Sequence, residues 1–306
     1  MEKKVTQRIK SITEFHRVRG LPKPEHPLIS LIDFSKMKRP ANIGETNWML
    51  DFYQISIKRG MDFKMKYGQQ DYDFDEGVMF FLAPNQVFRI EHDPKATTKQ
   101  SGYMLLIHPD FLWNTTLAKT ITQYEFFDYS VNEALFLSEK EEATLNTIMS
   151  NIQQEYHANI DKFSQSIIIS NIETLLNYSE RFYERQFITR KITNHKILDR
   201  FEEVLKDYFQ KNSYTTQGLP TVNFIASELN ISPNYLSRLL KNLTGQSTQQ
   251  FIHDKLIEKA KEKLSTTDLS VSEIAYELGF EHPQSFTKLF KAKTKLSPLI
   301  FRQTFN

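Results

Sequence analysis

Residues 221–302 write one helical pattern twice, and this repetition restricts the final third of the chain more than any other feature. Val222, Ile225, Ala226 and Leu229 recur 49 residues later as Val271, Ile274, Ala275 and Leu278. After one inserted residue, Leu236, Leu239, Leu240, Ser247 and Phe251 recur 50 later as Phe286, Leu289, Phe290, Ser297 and Phe301. Each copy reads as a short helix, a tight turn and a second helix. Asn230 tolerates the left-handed conformation that ends a helix, and Gly279 takes its place in the second copy. Ser232 supplies an N-cap, and Pro233 and Pro283 open the second helices. The small Ala226 and Ala275 let two helices cross closely, as a helix-turn-helix requires.

The outward faces of the second helices repeat as well. With Leu236, Leu239, Leu240 and Leu243 turned inward, Asn234, Ser237, Arg238 and Lys241 lie opposite. With Phe286, Leu289 and Phe290 turned inward, Gln284, Ser285, Lys288 and Lys291 remain outside. Amides pair bidentately with adenine, and Arg or Lys addresses the O6 and N7 of guanine, so these residue types suit a major groove. One such face on an isolated helix is ordinary solvated surface; two matched faces at a fixed offset favour a DNA reader.

The text IASELNISPNYLSRLLKNLTGQSTQQFI, then AKEKL, then SVSEIAYELGFEHPQSFTKLFKAKTKLSPLIFR resembles the AraC/XylS transcription regulators, whose DNA-binding domain is a pair of helix-turn-helix units. The resemblance covers about the last hundred residues. It implies base-reading roles for Asn234, Ser237, Arg238, Gln284, Ser285, Thr287 and Lys288. Lys241, Lys291, Lys293, Lys295 and the helix N-termini would hold phosphates without reading sequence. Two positions depart from the family pattern. Lys295 stands where the family often has Gly, and Pro283, with neither N–H nor polar side chain, stands where it often has a residue that reaches DNA.

Residues 248–264 read as one connecting helix, about 25 Å long at 1.5 Å per residue. Successive major grooves on one face of DNA are about 34 Å apart. One protomer is therefore expected to read two successive grooves, with the DNA bent or one helix seated shallowly.

The net charge of +2 divides unevenly. Residues 190–306 hold 17 Lys and Arg against 12 Asp and Glu, leaving 22 against 25 in the preceding 189 residues. The C-terminal part is the one suited to a polyanion. The absence of cysteine excludes disulfides, thiolate metal sites and cysteine nucleophiles. No apolar run has the length of a membrane span, and MEKKVTQRIK lacks the apolar core of a signal peptide. The expectation is a cytoplasmic protein without membrane contact.

Residues 1–27, with Pro22, Pro24 and Pro27, read as an N-terminal arm containing a possible short helix, and a partly ordered terminus is expected. From 28 to about 108, LISLIDF, WMLDFYQISI, VMFFLA, VFRIE and GYMLLI read as strands separated by the turn text KRG, YGQQ, DEG and APNQ. Such short strands suggest an antiparallel barrel or jelly roll. YDFDEGVMFFLAPNQVFRIE resembles, more loosely, the cupin-like N-terminal domain of AraC-type regulators. His92 and His108 do not have metal-binding spacing, so no metal, cofactor or enzyme activity is expected. The barrel reads as a pocket instead. Trp48, Phe52, Phe63, Phe88, Tyr103 and Trp113 are candidates for its wall, and Arg89 and His108 for polar contacts, against the bland alternative that aromatic residues fill the barrel.

From Ser138, which forms a capping box with Glu141, two amphipathic helices run to about 185, broken near 158–161. Their apolar face is wider than one barrel needs, and part of it reads as a homodimer interface, with full coverage of the barrel as the competing reading. Residues 186–194 are the expected interdomain joint. Ile197, Leu198, Phe201, Val204, Leu205, Tyr208 and Phe209 mark the helix that opens the next domain.

The expected fold class is α+β: a cupin-like antiparallel barrel or jelly roll over 28–136, a helical hairpin over 137–189, and an all-α domain over 190–306. That domain holds helix-turn-helix units at 221–243 and 271–293 joined by a long helix. The expected function is a sequence-specific, ligand-responsive, dimeric transcription regulator with double-stranded DNA and a small-molecule effector as partners, and RNA polymerase as a further candidate. The alternatives are a barrel that serves only dimerisation, a cupin enzyme carrying a DNA-binding domain, and an architectural protein, which would need a larger basic excess.

Overall fold

A computed structural model describes residues 6–37, 47–59, 66–67, 70–71, 77–89, 101–130, 133–158, 161–189, 191–210 and 218–304. The chain divides into two compact units, Met1–Gln186 and Phe187–Asn306.

The first unit is built on a five-stranded antiparallel sheet. Its strands, in spatial order, are β10 (Leu135–Leu137), β7 (Gly77–Leu82), β4 (Tyr53–Arg59), β9 (Ser101–Ile107) and β2 (Ile29–Asp33). A smaller sheet holds β1 (Thr6–Ile9), β3 (Asn47–Leu50) and β8 (Val87–Arg89), with β1 parallel to β3. The pair β5 (Lys66–Tyr67) and β6 (Gln70–Asp71) forms a separate ribbon. Among the described residues the strands form separate sheets, and no closed barrel is present.

Alternation along β4 assigns the two faces of the large sheet. Ile55 and Ile57 stand opposite Phe81 and Met79, on the face covered by helices α3 (Glu139–Tyr156) and α4 (Ser164–Thr189), which follow the one-turn α2 (Leu117–Thr120) in the chain. Here Tyr183 lies 6.2 Å from Phe81, and the Ser179 hydroxyl meets Met79 Sδ at 3.6 Å. On the other face Gln54, Ser56 and Lys58 neighbour Leu106, Met104 and Gly102. Met104 and Leu106 pack there with Ile9, Ile12, Phe15, Leu50 and Phe52.

That core overturns the expected arm. Ile9, Ile12 and Phe15 are buried, on β1 and on α1 (Ile12–Val18), which Ser11 caps by accepting from Glu14 N–H at 3.1 Å. The apolar residues recur every three positions and make one stripe, whereas the prolines that suggested an arm all lie beyond the helix. The run 48–57 also departs from expectation: it breaks at Asp51, whose carboxylate accepts from Arg8 at 2.7 Å. Lys58 and Arg59 of the supposed turn KRG belong to β4.

The capping box forms as read: Glu141 N–H donates to Ser138 Oγ, and Ser138 N–H to the Glu141 carboxylate. Arg185 clamps the same carboxylate at 2.9 and 2.6 Å, joining α4 to the start of α3. Among the described residues most of the apolar face of these two helices is covered. Ile168, Ile172, Leu175, Leu176, Phe182 and Tyr183 are buried within the chain, while Phe163 and Ile167 are exposed. Within the expected joint over 186–194, α4 continues to Thr189 and α5 (Lys191–Gln210) starts two residues later.

The second unit repeats itself in caps and turns as well as in core. The first copy is α6 (Val222–Leu229) and α7 (Pro233–Thr244); the second is α9 (Val271–Glu277) and α10 (Pro283–Thr294). Thr221 and Ser270, 49 apart, cap the first helices by accepting from Phe224 and Glu273 N–H. Asn230 and Gly279 both adopt positive φ, 55° and 84°, and the next N–H returns to Ala226 O or Ala275 O at 3.0 Å. Connector α8 (Thr248–Thr266) and the closing helix α11 (Pro298–Gln303) are capped by Ser247 and Ser297, 50 apart. Among the described residues no helix is long and apolar enough to cross a membrane.

Candidate nucleic-acid interface

Helix α10 carries the more open of the two polar faces. Phe286 and Phe290 are buried beneath it, and Gln284, Ser285, Lys288 and Lys291 are all exposed on the far side. Thr287 is half-buried and its hydroxyl donates back to Pro283 O at 3.0 Å, so it is placed at the margin of this face. Pro283 opens the helix at a position where a missing N–H costs no intrahelical bond.

Helix α7 has the same register but different surroundings. Lys241 is exposed, whereas Asn234, Ser237 and Arg238 are half-buried. The Arg238 guanidinium lies 5.8 Å from the ring centre of Phe187, the first residue of this unit. That ring also packs 5.1 Å from Tyr235. Ser237 turns toward the connector, where the Thr248 hydroxyl donates to it at 3.3 Å, so the structure sets it apart from Asn234 and Arg238. The residue 50 before Ser285 is Tyr235, which is buried; periodicity alone does not expose this difference.

The basic run at the end of the chain is partly engaged internally. Lys293 pairs with Asp254 of the connector at 2.6 Å. Beside them His253 titrates below the ordinary imidazole value, through burial first and the Lys293 charge second, with Asp254 opposing. Arg302 donates to Leu264 O at 3.2 Å and Leu269 O at 2.5 Å, binding the end of the connector. Lys295 is exposed and its ammonium donates to Ala292 O at 3.2 Å. Of the four lysines expected at phosphates, Lys241, Lys291 and Lys295 are on open surface and Lys293 is ion-paired.

The expected pocket residues of the first unit divide between several places. Phe52 is fully buried in the cluster against which Trp48 and Phe88 pack. Tyr103 stands opposite Ile57, on the other face of the sheet. His108 caps the turn Pro109–Leu112 by accepting from Asp110 N–H at 3.2 Å. Trp113 is 70% exposed and lines an open surface hollow with Asp110, Asn114 and Lys119. Phe63, His92 and the side chain of Arg89 lie outside what the structure describes. Reading from sequence missed Lys58 and Arg19, which lie by the inner cluster; the alternation Gln54, Ser56, Lys58 could have placed Lys58 on the inner face had KRG not been read as a turn.

A family described as a helix-turn-helix domain matches residues 225–304. Among curated proteins, the uncharacterized HTH-type transcriptional regulator YfiF of Bacillus subtilis (strain 168) is 28% identical over 262 residues, covering 83% of this chain and 77% of that protein. Among solved structures, the C-terminal domain of the two-component response regulator yesN from Fusobacterium nucleatum is 33% identical, with 33% of this chain and 96% of that one covered and a TM-score of 0.29. The DNA-binding domain of AdpA, a global transcriptional factor in complex with a target DNA, is 24% identical, with 34% and 91% covered and a TM-score of 0.30.

Proposed function

We propose that this chain, a DNA-binding transcription regulator by its AraC-type helix-turn-helix domain, reads two successive major grooves with two unequal helices and takes a small-molecule signal through its first unit. The observation that carries the DNA reading is the exposed row Gln284, Ser285, Lys288 and Lys291 on α10, at the positions where α7 repeats the pattern. Connector α8 has 19 residues and thus spans about 28 Å, short of the ~34 Å groove repeat. DNA bending, or shallow seating of one helix, makes up the difference. Because Arg238 lies over an aromatic ring, α10 is the principal base reader and α7 contributes mainly through Asn234 and Lys241.

Dimerisation belongs to the same reading, supported by Phe163 and Ile167, which are exposed one helical turn apart. Light scattering of the full chain at micromolar concentration tests it, and a monomer rejects it. For the DNA reading, bound sequences are selected from random DNA and affinities are then measured for variants. Lys288→Ala is expected to lose about 1–3 kcal/mol at the selected site and to relax one base position. Lys291→Ala should weaken all sequences alike and reduce the salt slope by about one. Equal affinity of the parent for selected and random DNA would overturn sequence-specific reading.

A further inference from the structure

The inner face of the large sheet contains a polar layer, and most of that layer is internally satisfied. Gln54 Nε2 donates to Ser56 Oγ at 3.1 Å, and His16 Nε2 meets Ser30 Oγ at 2.9 Å. Lys58, next in the same alternation, is not. Its ammonium lies 4.5 Å from the ring centre of Phe34 and 5.1 Å from that of Phe80, and no carboxylate among the described residues pairs with it. Arg19, from the end of α1, is close enough for its charge to act on Lys58. Arg19 Nε is buried with no hydrogen-bond partner, and so is Trp48 Nε1. The Arg19 guanidinium lies 5.9 Å from the ring of Phe15, in the same cluster as Phe34.

Lys58 and Arg19 are both half-buried, and two like charges held close in such surroundings repel each other and have lost part of their hydration. Buried donors without acceptors add a further cost. Aromatic faces attract each cation singly but do not replace an anion. Lys58 is half-buried, so its ammonium can be reached by a small molecule.

We propose that Lys58, Arg19 and Trp48 Nε1 form the receiving site for the head group of a small organic acid, with its apolar body lying among Phe34, Phe80 and Phe15. A carboxylate takes the guanidinium and the ammonium together and leaves an oxygen lone pair for the indole N–H. Few donors set in aromatic walls suit a monoanion with an apolar body better than a polyphosphate or a sugar, which need many polar partners. This identifies the class of signal and rests on the reading that the first unit receives a small molecule.

The chain holds two tryptophans, so Trp113→Phe leaves Trp48 as the sole indole reporter. In that background the full chain is titrated with benzoate, benzyl alcohol and benzylamine while Trp48 emission is followed. Benzoate is expected to give a saturable change, and the neutral and cationic analogues none at equal concentration. Lys58→Met and Arg19→Gln should each weaken benzoate at least tenfold. Without ligand, Lys58→Met should melt higher than its parent, because a half-buried cation with no carboxylate partner among the described residues has been removed, so loss of binding is not loss of fold. No saturable benzoate response, undiminished binding by Lys58→Met, or a lower melting temperature for that variant overturns the anion site. Affinity for the selected DNA is measured in parallel. Benzoate binding that leaves DNA affinity unchanged rejects the sensor reading while keeping the anion site; intact DNA binding with no Trp48 response rejects the anion site while keeping the regulator.

Discussion

Lys295 adopts a φ of 66°, at the position where the first copy has Gly245 at 73°. A β-carbon in the left-handed region costs about 1–2 kcal/mol, only partly offset by the exposed bond from Lys295 Nζ to Ala292 O. Lys295→Gly is therefore expected to stabilise the protein by about 1 kcal/mol in denaturant unfolding, with an unchanged m-value. Arg302, by contrast, looks in sequence like one more DNA-facing cation but donates to the carbonyls of Leu264 and Leu269. Arg302→Ala should cost about 1.5–3 kcal/mol of stability and leave the salt slope of DNA binding as it was.

Burial first and the Arg19 charge second push the Lys58 pKa down from 10.5 to about 7. Among the described residues Arg19 is the charged group that faces it, since its sheet neighbours Val78 and Gly102 bring none. Below about pH 7 both folded and unfolded chains hold the proton and the burial cost is fully present. Between about 7 and 10.5 the unfolded chain holds more protons, so stability rises with pH. The melting-temperature advantage of Lys58→Met over the parent should narrow from pH 6 to pH 9.

At the scale of elements, helices were legible where caps and a 3.6-residue period agree. Ser138 with Glu141, the stripe along α5, and the paired units are all written in local text. Glu141 also holds Arg185 of α4, so one carboxylate closes a cap and joins two helices. Glu141→Ala should cost about 2–3 kcal/mol, against about 1 for Ser138→Ala, and thermal melting of the two variants compares them. Strand β10 escaped notice because Leu135, Phe136 and Leu137 are all buried and so show no alternation. The parallel pairing of β1 with β3 escaped because no local pattern states which distant strand a short segment will meet.

For the whole molecule, the doubled pattern, the charge difference and the missing cysteines are properties of the chain as written. They determined a helical DNA-binding third and a strand-rich remainder, because period, capping and net charge are local or additive. Packing decided what those residues do. Arg238 and Lys288 occupy equivalent places in the repeat, yet one lies over Phe187 and the other is exposed. Lys293 and Arg302 look alike as cations in the text, and both are bound to neighbouring elements. Lys58 reads as part of a turn and stands half-buried on the inner face of the sheet, where the Arg19 charge acts on it. Burial and pairing depend on which surfaces the fold brings together across many residues, so they first exist in the tertiary structure.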